Sequence, residues 1–326
     1  MAFDPQNIVI NLTAVIVAVT DDQPRVLIVN ADNSDANTSG NGLPSGPFDP
    51  VHHDSLESGL RRWVEAQTGL DLYYVEQLYT FGNRNRDPGE IRGGPRVVSV
   101  AYIALAREDA VSERNAGWCD LYSYLPWEDW RNGYPAMISD TIAPAIRDWV
   151  NNATSGKARK ARNERVNVTF GLKPGEEIDS VLSLERFELL YEAGVVAESG
   201  RDQSFEFSVP ELGQSLKSDH RRILATALGR LRGKLAYRPV VFELLTGEFT
   251  LLQLQRVAEA LSGATLHKQN FRRLVAKADL VESVGRTTTL NRGRPAELFR
   301  FRREVLGEKL TVGLSRPILR SPDASA

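Results

Sequence analysis

HKQNFRRLVAKADLVESVGRTTTLNRGRPAELFRF, residues His267 to Phe301, is the stretch whose reading decides the fold. Phe271, Leu274, Val275 and Ala278 recur at helical spacing and mark a buried face, while Lys268, Arg272, Arg273 and Lys277 mark the opposite one. After Ala278 the period changes. Leu280, Val281 and Val284 lead into Gly285-Arg286, then Asn291-Arg292-Gly293-Arg294-Pro295, and Leu298 to Arg302 alternates. This predicts a short amphipathic helix followed by a β-hairpin with an arginine-rich, glycine-containing tip. Helix plus basic hairpin is the outline of a winged helix, in which the helix fits the major groove and an arginine loop reaches phosphates or the minor groove. A solvated basic helix beside an ordinary hairpin would carry the same periodicity.

Upstream, Pro239 to Leu245 is a short helix candidate. Thr250-Leu-Leu-Gln253 has the pattern of a capping box. It opens a helix with Leu254, Val257, Ala258 and Leu261 inward, which Ser262-Gly263 stops. Three short helices and a hairpin give winged helix-turn-helix topology. Gln214 to Tyr237 reads as a longer helix with Leu216, Ile223, Leu224, Ala227, Leu228, Leu231 and Leu235 as a broad apolar stripe. Such a helix connects domains or pairs with its copy in a dimer, and periodicity does not separate these. Thr154 to Arg165, TSGKARKARNER, reads as a basic polar linker. Val166 to Gly200 reads as a strand then a helix, with Ser183 and Arg186 at cap-like positions and no assigned role.

The front of the chain has a different grammar. Asn7 to Val19 is strongly β-like, Asp21 to Pro24 is a turn, and Arg25 to Val29 returns as a strand. A polar stretch, Ala31 to Gly42, reads as a mobile loop. Asp54 to Thr68 forms a helix ended by Gly69; Leu70 to Thr80, Val97 to Ala106 and Leu121 to Leu125 read as strands, and Met137 to Val150 as a helix. Strand, hairpin, glycine loop, helix, then strands resembles the Nudix fold. LPSGPFDPVHHDSLESGLRRWVEAQTGL aligns with the Nudix box when Gly69 is its terminal glycine. Nudix hydrolysis needs helix carboxylates that hold divalent cations. In this register the three glutamate positions are Trp63, Ala66 and Gln67. Glu65 is one residue out of register, about 100° around the helix, and Asp54 and Glu57 at the helix start do not rebuild the cluster. The chain is therefore expected not to be an enzyme and to hold no metal. A cleft that binds a nucleotide survives. Phe48, Tyr79, Phe81 and Tyr102 are candidates to stack on or line a base pocket. Arg62, Arg84, Arg86, Arg92 and Arg96 are candidates to hold phosphates.

The 326 residues allow two domains, and 42% hydrophobic with 25% charged residues is ordinary for a globular chain. One cysteine, Cys119, precludes an internal disulfide, and four scattered histidines suggest no zinc site. No apolar run is long enough for a membrane span and no secretory signal is read, so the expected location is cytoplasmic. The net charge of −2 conceals an asymmetry. Gln214 to Ala326 holds 21 Lys and Arg against 10 Asp and Glu, and the residues before it 19 against 32. An acidic front and a basic back imply different partners, a polyanion for the back.

RPVVFELLTGEFTLLQLQRVAEALSGATLHKQNFRRLVAKADLVES and NRGRPAELFRF closely resemble the C-terminal domain of the Nudix-related transcriptional regulators (NrtR), and YTFG with RVVSVAYIALA resembles that family's N-terminal domain. The resemblance covers about residues 6–130 and 217–303. It implies an α+β fold: an N-terminal Nudix-like α/β/α sandwich domain, residues 1–152, followed by a C-terminal winged helix-turn-helix domain. Residues 153–213 would be a linker or insertion, 214–303 the connecting helix and winged helix, and 304–326 a flexible tail. The departure between Ser139 and Gln214 looks like the NadQ-type branch, which regulates de novo NAD synthesis. The resemblance further implies a homodimeric repressor of NAD biosynthesis genes that binds a palindromic operator. It would need no cofactor and would respond to ADP-ribose, NAD or ATP. Lys268, Gln269, Asn270 and Arg273 would meet base edges, Arg272 and Lys277 phosphates, and Arg286, Arg292 and Arg294 would belong to the wing. The alternative is a nucleoside-diphosphate pyrophosphatase with an accessory nucleic-acid-binding domain.

Overall fold

In the computed structural model the front of the chain is built on one long strand, β1 (Ile8–Thr20). The structure describes residues 8–30, 40–85, 87–108, 115–172, 175–203, 212–237, 240–245, 247–288, 295–302 and 319–320. Most of the expected Ala31–Gly42 loop, Arg86, Arg292, Arg294 and most of the tail lie outside the described residues. β1 is apolar without alternation because both its faces are covered. Leu12, Ala14 and Ile16 enter one core, and Val15 and Val17 the other. Asp21 and Asp22, at φ 50° and 64°, make a tight turn into β2 (Gln23–Val29), antiparallel to β1. β3 (Ser45–Pro47), α1 (Leu56–Thr68), β4 (Tyr74–Phe81), the single turn α2 (Pro88–Ile91), β5 (Arg96–Leu105) and β6 (Ala116–Asp120) follow. β5 runs parallel to β1 from Ile8↔Arg96 to Val17↔Leu105. The sheet order is β4-β5-β1-β2-β6, with β3 also on β1.

The last front strand lies earlier than the sequence suggests. Leu121–Ser123 is a 3₁₀ turn, not a strand, and Asp120 Oδ1 accepts from Tyr122 N at 3.0 Å. Its apolar residues are buried as a loop packed under the sheet, while the strand proper, AGWCD, is only half-buried. The next helix begins as a π turn, Ile138–Ile142, ahead of Pro144, and continues as α3 (Ala143–Asn151).

The expected linker is a helix. Ser155 caps α4 (Gly156–Phe170) by accepting from Ala158 N at 3.2 Å. Val166 to Phe170, expected to start a strand, closes this helix; the only strand before the next helix among the described residues is β7 (Glu177–Ile178). α5 (Ser183–Glu192) and α6 (Ala197–Gln203) follow. Ser183 and Arg186 do not cap: the N-cap is Leu182, and both residues are buried against Glu128.

The connecting helix α7 (His220–Tyr237) starts later than expected because Ser218 sits at φ 47° and the preceding chain is held elsewhere. Gln214 N donates to Ser123 O at 2.8 Å and Lys217 N to Asn41 O at 2.9 Å. A 3₁₀ turn at Val240–Leu244 leads to α8 (Leu251–Ser262), α9 (Lys268–Ala278) and the hairpin β8 (Val281–Thr288) and β9 (Ala296–Phe301). β10 (Leu319–Arg320) pairs with β7. One continuous core joins Val15, Leu78 and Phe81 of the front sheet to Ile223 and Leu228 of α7, then to Leu254 of α8 and Phe271 and Val275 of α9.

Candidate nucleic-acid interface and nucleotide cleft

α8 and α9 are held as a rigid pair by local chemistry. Thr250 and Gln253 form the expected capping box, with Gln253 N donating to Thr250 Oγ1 at 3.2 Å and Thr250 N to Gln253 Oε1 at 2.8 Å. The turn between the helices is closed by Glu259, whose Oε1 accepts from Leu266 N at 2.8 Å and from Gln255 Nε2 at 2.9 Å. Gly263 ends α8 at φ 71°, and a Cβ there would lie 2.4 Å from Glu128 O and 2.5 Å from Arg232 Nη2. Only glycine satisfies both the left-handed backbone and that approach.

On α9 the apolar face is buried, Phe271 at 3% and Val275 at 1% exposure. Lys268, Gln269, Asn270, Arg272, Arg273 and Lys277 are all exposed. Four cations and no acid occupy this eleven-residue helix. Arg273 Nη2 donates to Asn270 Oδ1 at 2.9 Å, so two expected base-reading residues are already oriented by each other. The wing is anchored from behind: Phe249 and Phe299 exchange backbone hydrogen bonds at 2.8 and 2.9 Å, and Phe242 stacks on Phe301 with centroids 4.3 Å apart. Arg286 of β8 is exposed but paired with Glu248, which reduces its availability. Arg292 and Arg294 of the expected wing tip lie outside the described residues.

The front site divides by sheet face. On β5, Arg96, Val98, Val100 and Tyr102 share one parity, and Val100 and Tyr102 meet α1. Phe48 and Trp63 pack against the same core. Arg62 is exposed on α1 and donates to His52 O at 2.7 Å. Burial raises the pKa of Tyr102, and the Glu57 charge adds to the effect. Tyr79 and Phe81 lie on the opposite face, because they pair with Ala101 and Ser99, and Phe81 enters the core it shares with α7. Phe81 is 4% exposed with the Arg222 guanidinium 5.1 Å from its centroid, so it is a core residue and not part of one pocket with Phe48 and Tyr102. Tyr79 is 56% exposed beside it. Arg84 is exposed in the turn after β4 and Arg92 follows α2. Arg96 donates to Glu90 at 3.1 Å and to Gly82 O at 2.6 Å, bracing that turn.

Two of the three positions that the sequence aligns with the Nudix glutamates have structural work here. Trp63 Nε1 donates to Pro47 O at 2.9 Å, and a Cβ on Gly46 would be 2.2 Å from the Trp63 ring. Gln67 brackets Ser45, accepting from its N at 3.0 Å and donating to its O at 2.8 Å. α1 is thereby fastened to β3 by neutral side chains. Glu57 is paired with Arg61 at 2.9 Å. Among the described residues no group of three His, Cys, Asp or Glu could hold a metal ion.

The residues that sequence reasoning missed join these two regions. Arg222, Thr226, Arg230 and Lys234 recur every four residues on α7. Arg222 donates to Asn83 Oδ1 at 3.1 Å, Arg230 to Leu78 O at 3.3 Å, and Lys234 pairs with Glu76. The helix therefore lies along β4 and reaches the turn that holds Arg84. Leu43 N, ahead of β3, donates to His220 Nδ1 at 2.9 Å. Deeper, Glu128 is 1% exposed and binds Arg186 Nε at 2.6 Å, Ser183 Oγ at 3.1 Å and Arg232. Burial alone would raise its pKa, but the two guanidinium groups hold it down at about 2. Tyr122 Oη donates to Ala260 O of α8 at 2.9 Å beside it. Arg221, at 1% exposure, pairs with Glu198 at 3.1 Å. Part of the positive charge in the back of the chain is thus internal, and counting charges along the sequence could not separate it from the α9 surface.

Comparison with known proteins follows this architecture. The family described as the NrtR DNA-binding winged helix domain matches residues 241–301. The "ADPR responsive transcriptional repressor NtrR" of Acinetobacter baylyi is 35% identical over 286 residues, 88% of this chain and 79% of the relative. The crystal structure of Shewanella oneidensis NrtR complexed with a 27mer DNA shares the fold at 24% identity, with 94% of this chain and 99% of that chain covered and a TM-score of 0.56. A MutT/nudix family protein from Enterococcus faecalis shares it at 16% identity, with 93% and 89% covered and a TM-score of 0.54. A Nudix-like sheet continuous with a winged helix, together with this similarity over most of both chains, establishes that the chain belongs to the NrtR family of Nudix-related transcriptional regulators.

Proposed function

We propose that this chain is a repressor of NAD biosynthesis genes whose operator binding is altered by a nucleotide, ADP-ribose first among ADP-ribose, NAD and ATP. The observation that carries the reading is α9: buried on Phe271 and Val275, it turns every one of Lys268, Gln269, Asn270, Arg272, Arg273 and Lys277 to solvent. That is the display a recognition helix needs in a major groove. The DNA bound by the Shewanella relative and the ADP-ribose response of the Acinetobacter relative support the partner and the effector.

In this reading the chain works as a homodimer on a palindromic site, with its two α9 helices about 34–36 Å apart. Residues 1–152 sense the nucleotide, 214–303 bind DNA, and 153–213 join the two. Lys268, Gln269, Asn270 and Arg273 read base edges; Arg272, Lys277, Arg286, Arg292 and Arg294 meet phosphates. Phe48, Arg62 and Tyr102 line the nucleotide cleft, with Arg84 and Arg96 offered from the strand ends, Tyr79 from the other face, and Arg86 a further candidate for the phosphates. The front domain does not hydrolyse its ligand, since Trp63 and Gln67 stand where metal ligands are required and hold β3 instead. We read the segment between Ser139 and Gln214 as that of a NadQ-type branch.

The test is a fluorescence-anisotropy titration on the DNA upstream of the NAD-synthesis genes in the same genome, repeated with each nucleotide. Sequence-specific binding shifted by ADP-ribose is expected. Absence of preference over random DNA at moderate salt refutes the repressor, and chelator-sensitive turnover of ADP-ribose refutes the inactive cleft.

A further inference from the structure

We propose that α4 is a second contact surface for duplex DNA, taking backbone phosphates beside the site read by α9; this rests on the DNA-binding reading above. Lys157 to Arg165 carries five Lys and Arg and one acid, in a front half that is otherwise strongly acidic. The cations divide by environment. The Arg162 guanidinium lies 4.3 Å from the centroid of the Trp149 ring, and Arg165 pairs with Glu192 at 2.5 Å. Both line an open cavity of about 500 Å³ between α3, α4 and α5, where Arg162 is engaged by the Trp149 ring and Arg165 by the Glu192 carboxylate. Arg159 donates at 2.7 Å only to a neutral partner, Asn151 Oδ1, among the bonds described, and keeps its charge toward solvent. Lys160 stands 3.9 Å from Glu164 with their side chains 81% and 67% exposed, a separation and exposure at which pairing is worth little. Lys157 is exposed. Lys157, Arg159 and Lys160 therefore form an outward cationic surface on a helix whose burial is confined to its last turns, at Val166, Thr169 and Phe170.

The anchoring of α4 sets its C-terminal end beside the DNA-binding head. Its C-terminal end is fixed where Arg186 Nη1 donates to Thr169 O at 3.1 Å and Gly171 meets Ile178. Ile178 packs with Trp130 and Ala264. Ala264 follows α8 directly and lies four residues before Lys268; Trp130 N donates to Gly263 O at 2.6 Å. The root of α4 is thus at the turn between the two helices of the helix-turn-helix. From that root the fifteen residues of α4 span about 22 Å along α3 and α5, less than the roughly 34 Å of one duplex turn. In this proposal the outward face of its N-terminal half takes the phosphates of duplex flanking the half-site. Three phosphate contacts from it would release counterions and so steepen the salt dependence of binding.

The experiment uses the full-length chain and two duplexes from the bound upstream region: one trimmed to the repeat, one extended by about ten base pairs on each side, one further turn. On the long duplex the triple variant K157A/R159A/K160A is expected to lower the magnitude of the log–log salt slope by about 2 to 3 and to weaken binding about tenfold or more at moderate salt. On the short duplex it should match the parent. The charge-conserving K157R/R159K/K160R should match the parent on both. Alanine favours helix, so a retained helical signal by circular dichroism excludes misfolding as the cause. An unchanged slope on the long duplex overturns the proposal while leaving the α9 reading intact. A parent with no specific binding to either duplex overturns the DNA reading, and this surface with it.

Discussion

Glu128→Gln should cost the protein about 3 to 5 kcal/mol at neutral pH, because it removes the one anion from a buried site that holds two arginines. Glu128 and Arg232 have side chains 1% exposed and Arg186 4%. The substitution keeps the shape and can keep one or two hydrogen bonds, so the loss reads the uncompensated charge rather than a cavity. The same energy is visible without mutation. The folded pKa of about 2 lies below the ordinary value of 4.5, so the stabilisation is fully present above pH 4.5 and is lost as pH falls from there toward 2. A gap of that size corresponds to about 3 kcal/mol, in line with the mutational figure. The assay is urea denaturation followed by tryptophan fluorescence between pH 7 and pH 3, since Trp127 and Trp130 flank Glu128. The parent should lose stability steeply below pH 4.5, and the variant, already weaker at pH 7, should show a shallower acid dependence. A variant as stable as the parent at pH 7, or with the same acid slope, would refute the reasoning.

Gly263→Ala forces a left-handed backbone on alanine and drives a methyl into Glu128 O and Arg232, which should destabilise by about 1 to 3 kcal/mol or more in the same denaturation assay. Phe271→Ala empties the buried face of α9 and should cost about 3 to 5 kcal/mol, with hydrogen exchange accelerating first in α9 and the hairpin. Arg273→Ala should weaken operator binding by about 1 to 3 kcal/mol and relax specificity at its base pair, read by anisotropy on a panel of single-substitution duplexes. Lys277→Ala should instead weaken all duplexes alike and reduce the salt slope by about 1.

The link between the two halves has a physical form. α7 touches the chain ahead of β3 through His220 and Leu43, the turn after β4 through Arg222 and Asn83, and the α8 terminus through Arg232 beside Gly263. Glu128 and Tyr122, from the segment after β6, reach the same terminus. A ligand that shifts the strand ends therefore acts on a helix packed against the DNA-binding head and linked to it through Tyr122. Buried ion pairs of this kind resist continuous deformation, which favours movement between discrete arrangements.

The winged helix was legible in the residues because its determinants are local: Thr250 and Gln253 cap through three residues, Gly263 stops a helix by its own φ, and Phe271 and Val275 face inward by period alone. The same holds for β1, β2 and α1. The strand at Ala116–Asp120 and the helix at Gly156–Phe170 were not legible, since the first is a half-buried edge and the second carries almost no apolar stripe. The cleft was read as one set of aromatics and arginines, yet Phe81 and Tyr102 stand on opposite faces. A shift of register between Gln77 and Tyr79 and the path of β4 decide that, and neither is a property of composition. By itself the sequence determined the display on α9 and the neutral residues Trp63, Ala66 and Gln67 on α1, because both depend on residue identity at helical spacing. Only the tertiary structure decided which arginines are exposed and which are internal. Arg186, Arg221 and Arg232 meet Glu128 and Glu198 across as many as 104 residues of chain, and no local pattern encodes a partner that distant.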